Sequence, residues 1–212
     1  MPKTNNRYYS TSYSPYGSGG GSSISSSDDS SSSYDDDISY SQNKYLYNNH
    51  FKNSNFIFTD GSAVNNGKRN CKAGWSNYVG VNDPRNKSGI VEFEPTNQKA
   101  ELLAIQNALE TVVQFKTEKY TIVTDSKYSF DCLTKWYKNW EKNGYLTKQG
   151  TPVKHSNIIK LCVEKIKQCQ GRIQFVHVNS HQPKKSCNDI FMWDGNNEAD
   201  KMARNVIYSV CV

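Results

Sequence analysis

The order of the apolar segments is the sequence feature that most constrains the fold. Three short apolar runs separated by turn-rich sequence come first, and helical patterns then alternate with strand patterns. The predicted strands cover residues 56–59, 73–81, 90–93, 120–124 and 172–178, and the predicted helices cover 97–115, 126–141, 157–168 and a last segment from about Asn196. This order predicts an α/β fold with a mixed five-stranded sheet, three antiparallel strands followed by parallel strands, flanked by helices.

The first 52 residues differ in composition from the rest of the chain. They are rich in Ser, Tyr and Gly and contain few aliphatic residues. Such a segment cannot bury enough apolar surface to offset its ordering entropy, so we predict a disordered extension over residues 1–52 and one folded domain over residues 53–212. The tail tyrosines leave base stacking or weak recruitment of a partner open, but a featureless tether is the simpler interpretation.

Charge and cysteine usage indicate the setting of the folded part. The chain carries a net charge of +6, and the first 52 residues contribute −1, so the domain carries +7. A basic domain favours a polyanionic partner. The six cysteines show no zinc-ligand spacing, and no apolar run approaches the ~18 residues of a membrane span. We therefore expect an intracellular protein, nuclear or cytoplasmic, with reduced thiols and no membrane partner.

Four acidic residues lie at predicted boundaries between secondary-structure elements. Asp60 and Asp125 each end a predicted strand, whereas Glu101 and Asp200 lie near the starts of predicted helices. Taken singly, acidic residues at such positions are usually caps or solvated side chains. Together they can converge on one point, and hard divalent cations prefer oxygen ligands of this kind.

The sequences around these acids resemble the four acidic motifs of type 1 ribonuclease H. The matching segments are Phe58-Thr59-Asp60-Gly61-Ser62, Lys99-Ala100-Glu101-Leu102-Leu103-Ala104, Val123-Thr124-Asp125-Ser126-Lys127-Tyr128 and Gly195-Asn196-Asn197-Glu198-Ala199-Asp200, in the family's order. The resemblance covers residues 53–207 and implies the ribonuclease H fold. It also implies two Mg²⁺ ions, for which Mn²⁺ can substitute, with Asp60 bridging both, Glu101 and Asp125 serving one, and Asp200 the other.

His181 is the fifth candidate for a catalytic role. It follows the predicted strand 172–178, where the family carries a mobile catalytic histidine, and a histidine that titrates near neutrality can relay protons. The segment between His181 and Asp200 is longer than is usual in the family. A loop over residues 182–194 is expected to cap the site, contact the substrate or slow turnover, and the sequence leaves these three open.

A second informative region combines lysines with aromatic residues. Lys135, Trp136, Trp140, Lys142 and Tyr145 resemble the basic protrusion with which type 1 enzymes grip the DNA strand. The two tryptophans are four residues apart and share a helix face, so we expect partial burial of both.

Recognition of the 2′-hydroxyl of RNA requires hydrogen-bonding groups beside the acids. The resemblance implies this role for the backbone around Gly61 and Ser62 and for the side chains of Asn97 and Gln98. It also implies that Thr96 and Asn97 hold a DNA phosphate, with His155 where the family often carries an asparagine. Asn196 resembles a residue that contacts the RNA strand.

The expected function is an endoribonuclease that acts as a monomer on RNA–DNA hybrids. It would hydrolyse the RNA strand and leave 5′-phosphate and 3′-hydroxyl products. Three alternatives remain: a nuclease of the same fold that cuts double-stranded RNA or DNA, a hybrid-binding module without turnover, and a domain released from a longer polyprotein. Four crowded acids argue against the binding module, because crowding like charges is costly without a cation.

Overall fold

The computed structural model describes residues 54–116, 118–169, 171–179, 184 and 189–209. The predicted disordered extension and His181 therefore lie outside the described residues. The strands are β1 (Ser54–Val64), β2 (Lys72–Tyr78), β3 (Lys87–Ile90), β4 (Lys119–Thr124) and β5 (Ile173–His177). The α-helices are α1 (Asn97–Gln114), α2 (Lys127–Asp131), α3 (Tyr137–Lys142), α4 (Ser156–Gln168) and α5 (Ile190–Ser209), and a π-helical segment, Cys132–Trp136, joins α2 to α3.

The five strands form one mixed sheet in the order β3-β2-β1-β4-β5. The β1–β2 and β2–β3 pairs are antiparallel, whereas β4 runs parallel to both β1 and β5. This arrangement confirms the predicted fold class of three antiparallel strands followed by parallel strands.

Alternate side chains of the sheet belong to two apolar cores, one on each face of the sheet. Ile57 on β1 and Ile122 on β4 belong to the larger core, which α1 and α4 cover with residues such as Leu109 and Ile159. Phe58 and its neighbours on the opposite face pack against α5. Helices therefore cover both faces of the sheet.

The first strand is longer than the sequence predicts. The sequence pattern ends this strand at Asp60, but β1 continues through Gly61 and Ser62 to Val64 because β2 pairs with it throughout, from Asp60 opposite Ser76 to Val64 opposite Lys72. Asp60 therefore lies within a strand, and the expectation that it ends one is wrong.

The last helix begins six residues earlier than predicted, at Ile190. Asp189 stabilises this start, since its Oδ1 atom accepts a hydrogen bond from the Met192 backbone at 3.0 Å. Met192 is buried against the phenylalanines of β1. The predicted 182–194 loop is thus wrong for its last residues, and Asp200 lies in the middle of a helix, not at its head.

The π-helical segment forms where α2 meets α3. The Tyr137 backbone N–H donates to the carbonyl oxygen of Cys132, five residues earlier. The Thr134 hydroxyl donates to the Phe130 carbonyl oxygen at 2.6 Å and occupies a further backbone acceptor there.

Four of the six cysteines lie in the part of the chain that the structure describes. Cys71, Cys132, Cys162 and Cys169 are free thiols, and the last three are buried. No helix in the described ranges is both long and apolar enough to cross a membrane.

Candidate active site

Asp60 and Asp125 occupy equivalent positions in the register of two parallel strands. β1 pairs with β4 as far as Thr59 opposite Thr124; Asp60 is the next residue of β1, and Asp125 directly follows the end of β4. The buried Thr59 hydroxyl donates to the Val123 carbonyl oxygen at 3.0 Å and ties the two strands together just before the acids. The predicted convergence of these two carboxylates therefore follows from strand register.

Glu101 reaches the same point from helix α1. Thr96 caps this helix, accepting a hydrogen bond from the Lys99 backbone at 3.2 Å. One turn later α1 passes so close to β1 that a Cβ atom at Gly61 would lie 2.3 Å from the Glu101 nitrogen. One ligand oxygen from each of Asp60, Glu101 and Asp125 lies within 4.8 Å of the others.

Asp200 lies on α5 and lines the same cleft of about 380 Å³ as these three acids. The Ser76 hydroxyl of β2 donates to the Ala199 carbonyl oxygen at 2.6 Å and fixes α5 against the sheet. Asn196, one turn earlier, donates to Asp125 Oδ2 at 3.2 Å. The structure thus brings all four predicted carboxylates to one cleft.

Burial and mutual repulsion alter the protonation of the deepest acids. Burial, followed by the charges of Asp125 and Asp200, raises the pKa of Asp60 to about 8. Burial and then the charge of Asp60 raise the pKa of Glu101 well above its usual range. Carboxylates held in this way are poised for a compensating cation.

The donor atoms fit a divalent metal ion. Asp60 Oδ2 and Glu101 Oε2 are buried and have no hydrogen-bond partner among the residues that the structure describes. Buried polar oxygens are usually hydrogen-bonded, so two such atoms facing one cleft indicate an unfilled coordination requirement. Hard oxygen donors match the preference of Mg²⁺ and related ions.

Only some of the residues predicted to contact the substrate backbone line the cleft. Gly61, Ser62 and Asn97 line the cleft. Thr96 is engaged as the cap of α1, and Gln98 accepts a hydrogen bond from Lys154 at 3.4 Å on the exposed surface.

His155, the predicted counterpart of the family asparagine, adopts a left-handed backbone with φ 59° at the start of α4. Its Nε2 atom is buried without a hydrogen-bond partner among the described residues. Burial, followed by the charges of Lys154 and Lys99, lowers its pKa.

The basic-aromatic region is partly as predicted. Trp136 is 41% exposed, and its ring centroid lies 5.8 Å from that of the half-buried Trp140, as expected for two residues on one helix face. Lys142 is exposed, and Lys135 is paired with Asp131 at 2.8 Å.

The structure does not support Tyr145 as a nucleic-acid contact. Its ring is 8% exposed and packs in the larger core, and Lys160 lies over it at 4.9 Å from the centroid. A core ring is not available to stack on a base.

Five residues of the cleft were not among the predicted site residues: Ala63, Ser126, Lys127, Tyr128 and Arg204. Ala63 directly follows Ser62, and the next three directly follow Asp125, so their proximity to predicted residues could have indicated them. Arg204 follows Asp200 by four positions, and that spacing places two side chains on one helix face.

Fold and site together define an α/β domain with a polyacidic cleft suited to divalent metal ions. The RNase H family model matches residues 52–208. The chain is 34% identical to the Ribonuclease H of Schizosaccharomyces pombe over 149 residues, 70% of this chain and 51% of that protein. It is 33% identical to the Ribonuclease H of Novosphingobium aromaticivorans over 125 residues, 59% of this chain and 82% of that protein.

A solved structure agrees with these sequence matches. The solution structure of the PFV RNase H domain superposes with a TM-score of 0.58 at 25% identity, covering 73% of this chain and 94% of that domain. The chain belongs to the RNase H family. It spans about half the length of its fungal and mammalian relatives.

Proposed function

We propose that this protein is an endoribonuclease that hydrolyses the RNA strand of RNA–DNA hybrids and leaves 5′-phosphate and 3′-hydroxyl ends. The observation that carries the proposal is the cluster of Asp60, Glu101 and Asp125, in which one oxygen of each residue lies within 4.8 Å of the others. Two oxygens of this cluster, Asp60 Oδ2 and Glu101 Oε2, are buried without a hydrogen-bond partner among the described residues. The relatives named Ribonuclease H support the same activity.

The four carboxylates would hold two Mg²⁺ ions, or Mn²⁺ in their place. Bound ions of this kind supply an activated water and neutralise charge at phosphorus and at the departing oxygen. On the family resemblance, Asp60 would serve both ions, Glu101 and Asp125 one of them, and Asp200 the other. The charges of Asp125 and Asp200 both act on Asp60, which supports this division. Asn196 holds Asp125 Oδ2 and thereby fixes the orientation of that carboxylate.

The residues around the acids would position the hybrid. Gly61, Ser62 and Asn97 line the cleft and offer hydrogen-bonding groups to the 2′-hydroxyls of the RNA strand. Thr96, Gln98 and Asn196 complete the backbone contacts that the family resemblance implies.

Trp136 and Trp140, with Lys135 and Lys142, would hold the DNA strand by stacking and by phosphate neutralisation. Tyr145 would not contact the DNA strand, because its ring is buried.

His181, the remaining catalytic candidate, lies outside the described residues. His181 would accept and release a proton near the leaving group, as its position after β5 in the sequence supports. We also propose that residues 53–212 form the catalytic domain of an intracellular monomer, nuclear or cytoplasmic, with residues 1–52 as a disordered, featureless tether; weak recruitment of a partner by its tyrosines is the alternative.

A labelled RNA–DNA hybrid with Mg²⁺ tests the proposal directly. Wild type should cut the hybrid's RNA strand only, and chelator or Asp125→Asn should abolish cleavage. Asp194→Asn is the matched control. It makes the same Asp-to-Asn change, but at a residue of α5 that does not line the cleft and is paired with Lys184. Tight hybrid binding with no metal-dependent cleavage would instead identify a binding module, and cleavage of RNA–RNA or DNA–DNA duplexes would identify a nuclease of different specificity.

A further inference from the structure

Arg204 is a cation in the acidic cleft, where it is paired with Asp200, one of the four carboxylates. Its Nε atom lies 2.9 Å from Asp200 Oδ1, and both residues line the cleft with Asp60, Glu101 and Asp125. We propose that Arg204 is a built-in counter-cation that occupies Asp200 and sets the concentration of divalent metal ion that the cleft requires. This inference rests on the proposed function, since it concerns the ions of that same site.

The placement of Arg204 suits this role because its side chain shares one cleft with all four carboxylates. It lines that cleft beside Asp60, Glu101 and Asp125 while it is paired with Asp200. The side chain of Asp200 is 24% exposed, so part of it is open to solvent.

The second cation that lines the cleft, Lys127, is paired with an acid that is not one of the four predicted metal ligands. Lys127 also lines the cleft, but its Nζ atom lies 2.8 Å from both oxygens of Asp131. Lys135 contacts the same carboxylate at 2.8 Å. Asp131 thus holds the charges of both lysines, whereas Arg204 is paired with an acid of the site itself.

The positive charge of Arg204 repels a divalent metal ion that enters the cleft. The ion either displaces Arg204 from Asp200 Oδ1 or shares the carboxylate with it, and in both cases it approaches against a positive charge. The Arg204 side chain is 54% exposed, so the guanidinium has room to swing into solvent when an ion binds. Removing the charge should therefore tighten metal binding by about three- to tenfold at low ionic strength.

Isothermal titration of the substrate-free protein with Mg²⁺ alone measures this effect. Arg204→Gln should bind Mg²⁺ about three- to tenfold more tightly than wild type, and Arg204→Lys, which keeps the charge, should stay near wild type. Lys201→Gln is the matched control. It removes one positive charge from the same helix at a residue paired with Glu198 at 2.7 Å, outside the cleft lining, and should change the affinity by less than about twofold.

The sign of the change decides the inference. Unchanged or weaker Mg²⁺ binding by Arg204→Gln would overturn it, since weaker binding would mean that the arginine helps Asp200 to act as a ligand. An equal gain in Lys201→Gln would also overturn it, because the effect would then be one of net charge. If wild type cuts hybrids but Arg204→Gln binds Mg²⁺ unchanged, this inference alone fails; if wild type binds no Mg²⁺, the proposed function fails with it.

Discussion

Gly61 on β1 and Glu101 on α1 approach so closely that a Cβ atom at position 61 would lie 2.3 Å from the Glu101 backbone nitrogen. It would also lie 2.6 Å from the Ala100 carbonyl carbon, so the space is bounded by backbone that cannot easily move. A strand and a helix can meet at this distance only where one of them lacks a side chain. The contact brings the Glu101 carboxylate beside Asp60.

Gly61→Ala should therefore damage both stability and activity. The added methyl group must push α1 away from β1, at a cost of about 1–3 kcal/mol in the free energy of unfolding, and Glu101 moves with the helix. Chemical denaturation and the hybrid cleavage assay measure the two effects. Gly67→Ala is a useful comparison, because a Cβ there would meet nothing within 4 Å and only its φ of 80° is strained; loss of activity in both variants alike would contradict the packing explanation.

Asp60→Asn should stabilise the metal-free protein, and more so at alkaline pH. The folded-state pKa of Asp60 is raised to about 8 from 3.8. The folded protein therefore binds this proton more tightly than the unfolded chain, and stability falls as pH rises through that window. The variant's advantage should be absent below the lower value and reach about 1–3 kcal/mol above the upper one.

Thermal melts in the presence of a chelator at about pH 5 and pH 8.5 measure this dependence. Asp194→Asn, on the same α5 surface but outside the cleft lining, is the control. A pH-independent difference between Asp60→Asn and wild type would show that the pKa of Asp60 is not raised in the folded state.

Added Mg²⁺ should raise the Tm of wild type more at alkaline than at acidic pH. Protons compete with the ion for Asp60 and Glu101, since the pKa of each is raised in the folded state. A concentration of about 100 times the Kd should stabilise the protein by about 2.7 kcal/mol. Differential scanning calorimetry measures the shift, and an equal gain in Asp125→Asn would place the stabilising ion outside this cleft.

Trp136→Ala and Tyr145→Ala should separate binding from folding. Trp136 is 41% exposed, so its loss should weaken hybrid binding by about 1–3 kcal/mol and leave the Tm nearly unchanged. Tyr145 is 8% exposed, so its loss should cost about 2–5 kcal/mol of stability. Fluorescence anisotropy with a labelled hybrid measures the change in affinity, and thermal melts measure the change in Tm. If Tyr145→Ala instead weakened hybrid binding and left the Tm unchanged, Tyr145 would be a nucleic-acid contact.

The sequence predicts the sheet and the convergence of the acids because both depend on local patterns. Apolar runs ending at Asp60 and Asp125 define two strands, and parallel pairing then aligns the acids without further information. The helical spacing of the residues around Glu101 likewise predicts α1. These features need only period and order, which the sequence displays directly.

The features that were missed depend on tertiary contacts. Gly61 resembles a turn residue, but it lies within β1 because α1 requires its bare backbone. Gly195 and Asn196 resemble a helix start, yet Gly195 lies inside α5, where an added Cβ would meet the Phe58 ring at 2.3 Å. The burial of Tyr145 has no periodic signature, since its φ of 63° places it in an irregular turn.

The π-helical segment between α2 and α3 has a consequence for how the chain tolerates length changes. Each residue of an α-helix advances the side chains by about 100°, and a π-helical turn absorbs one residue beyond the α-helical count. A one-residue deletion within Cys132–Trp136 would remove that extra residue and let an uninterrupted α-helix run from the cleft to Lys142, with Trp140 kept near its present direction. In a regular α-helix the same deletion would turn every later side chain by about 100°, so this stretch should accept a one-residue deletion more readily than a regular helix would.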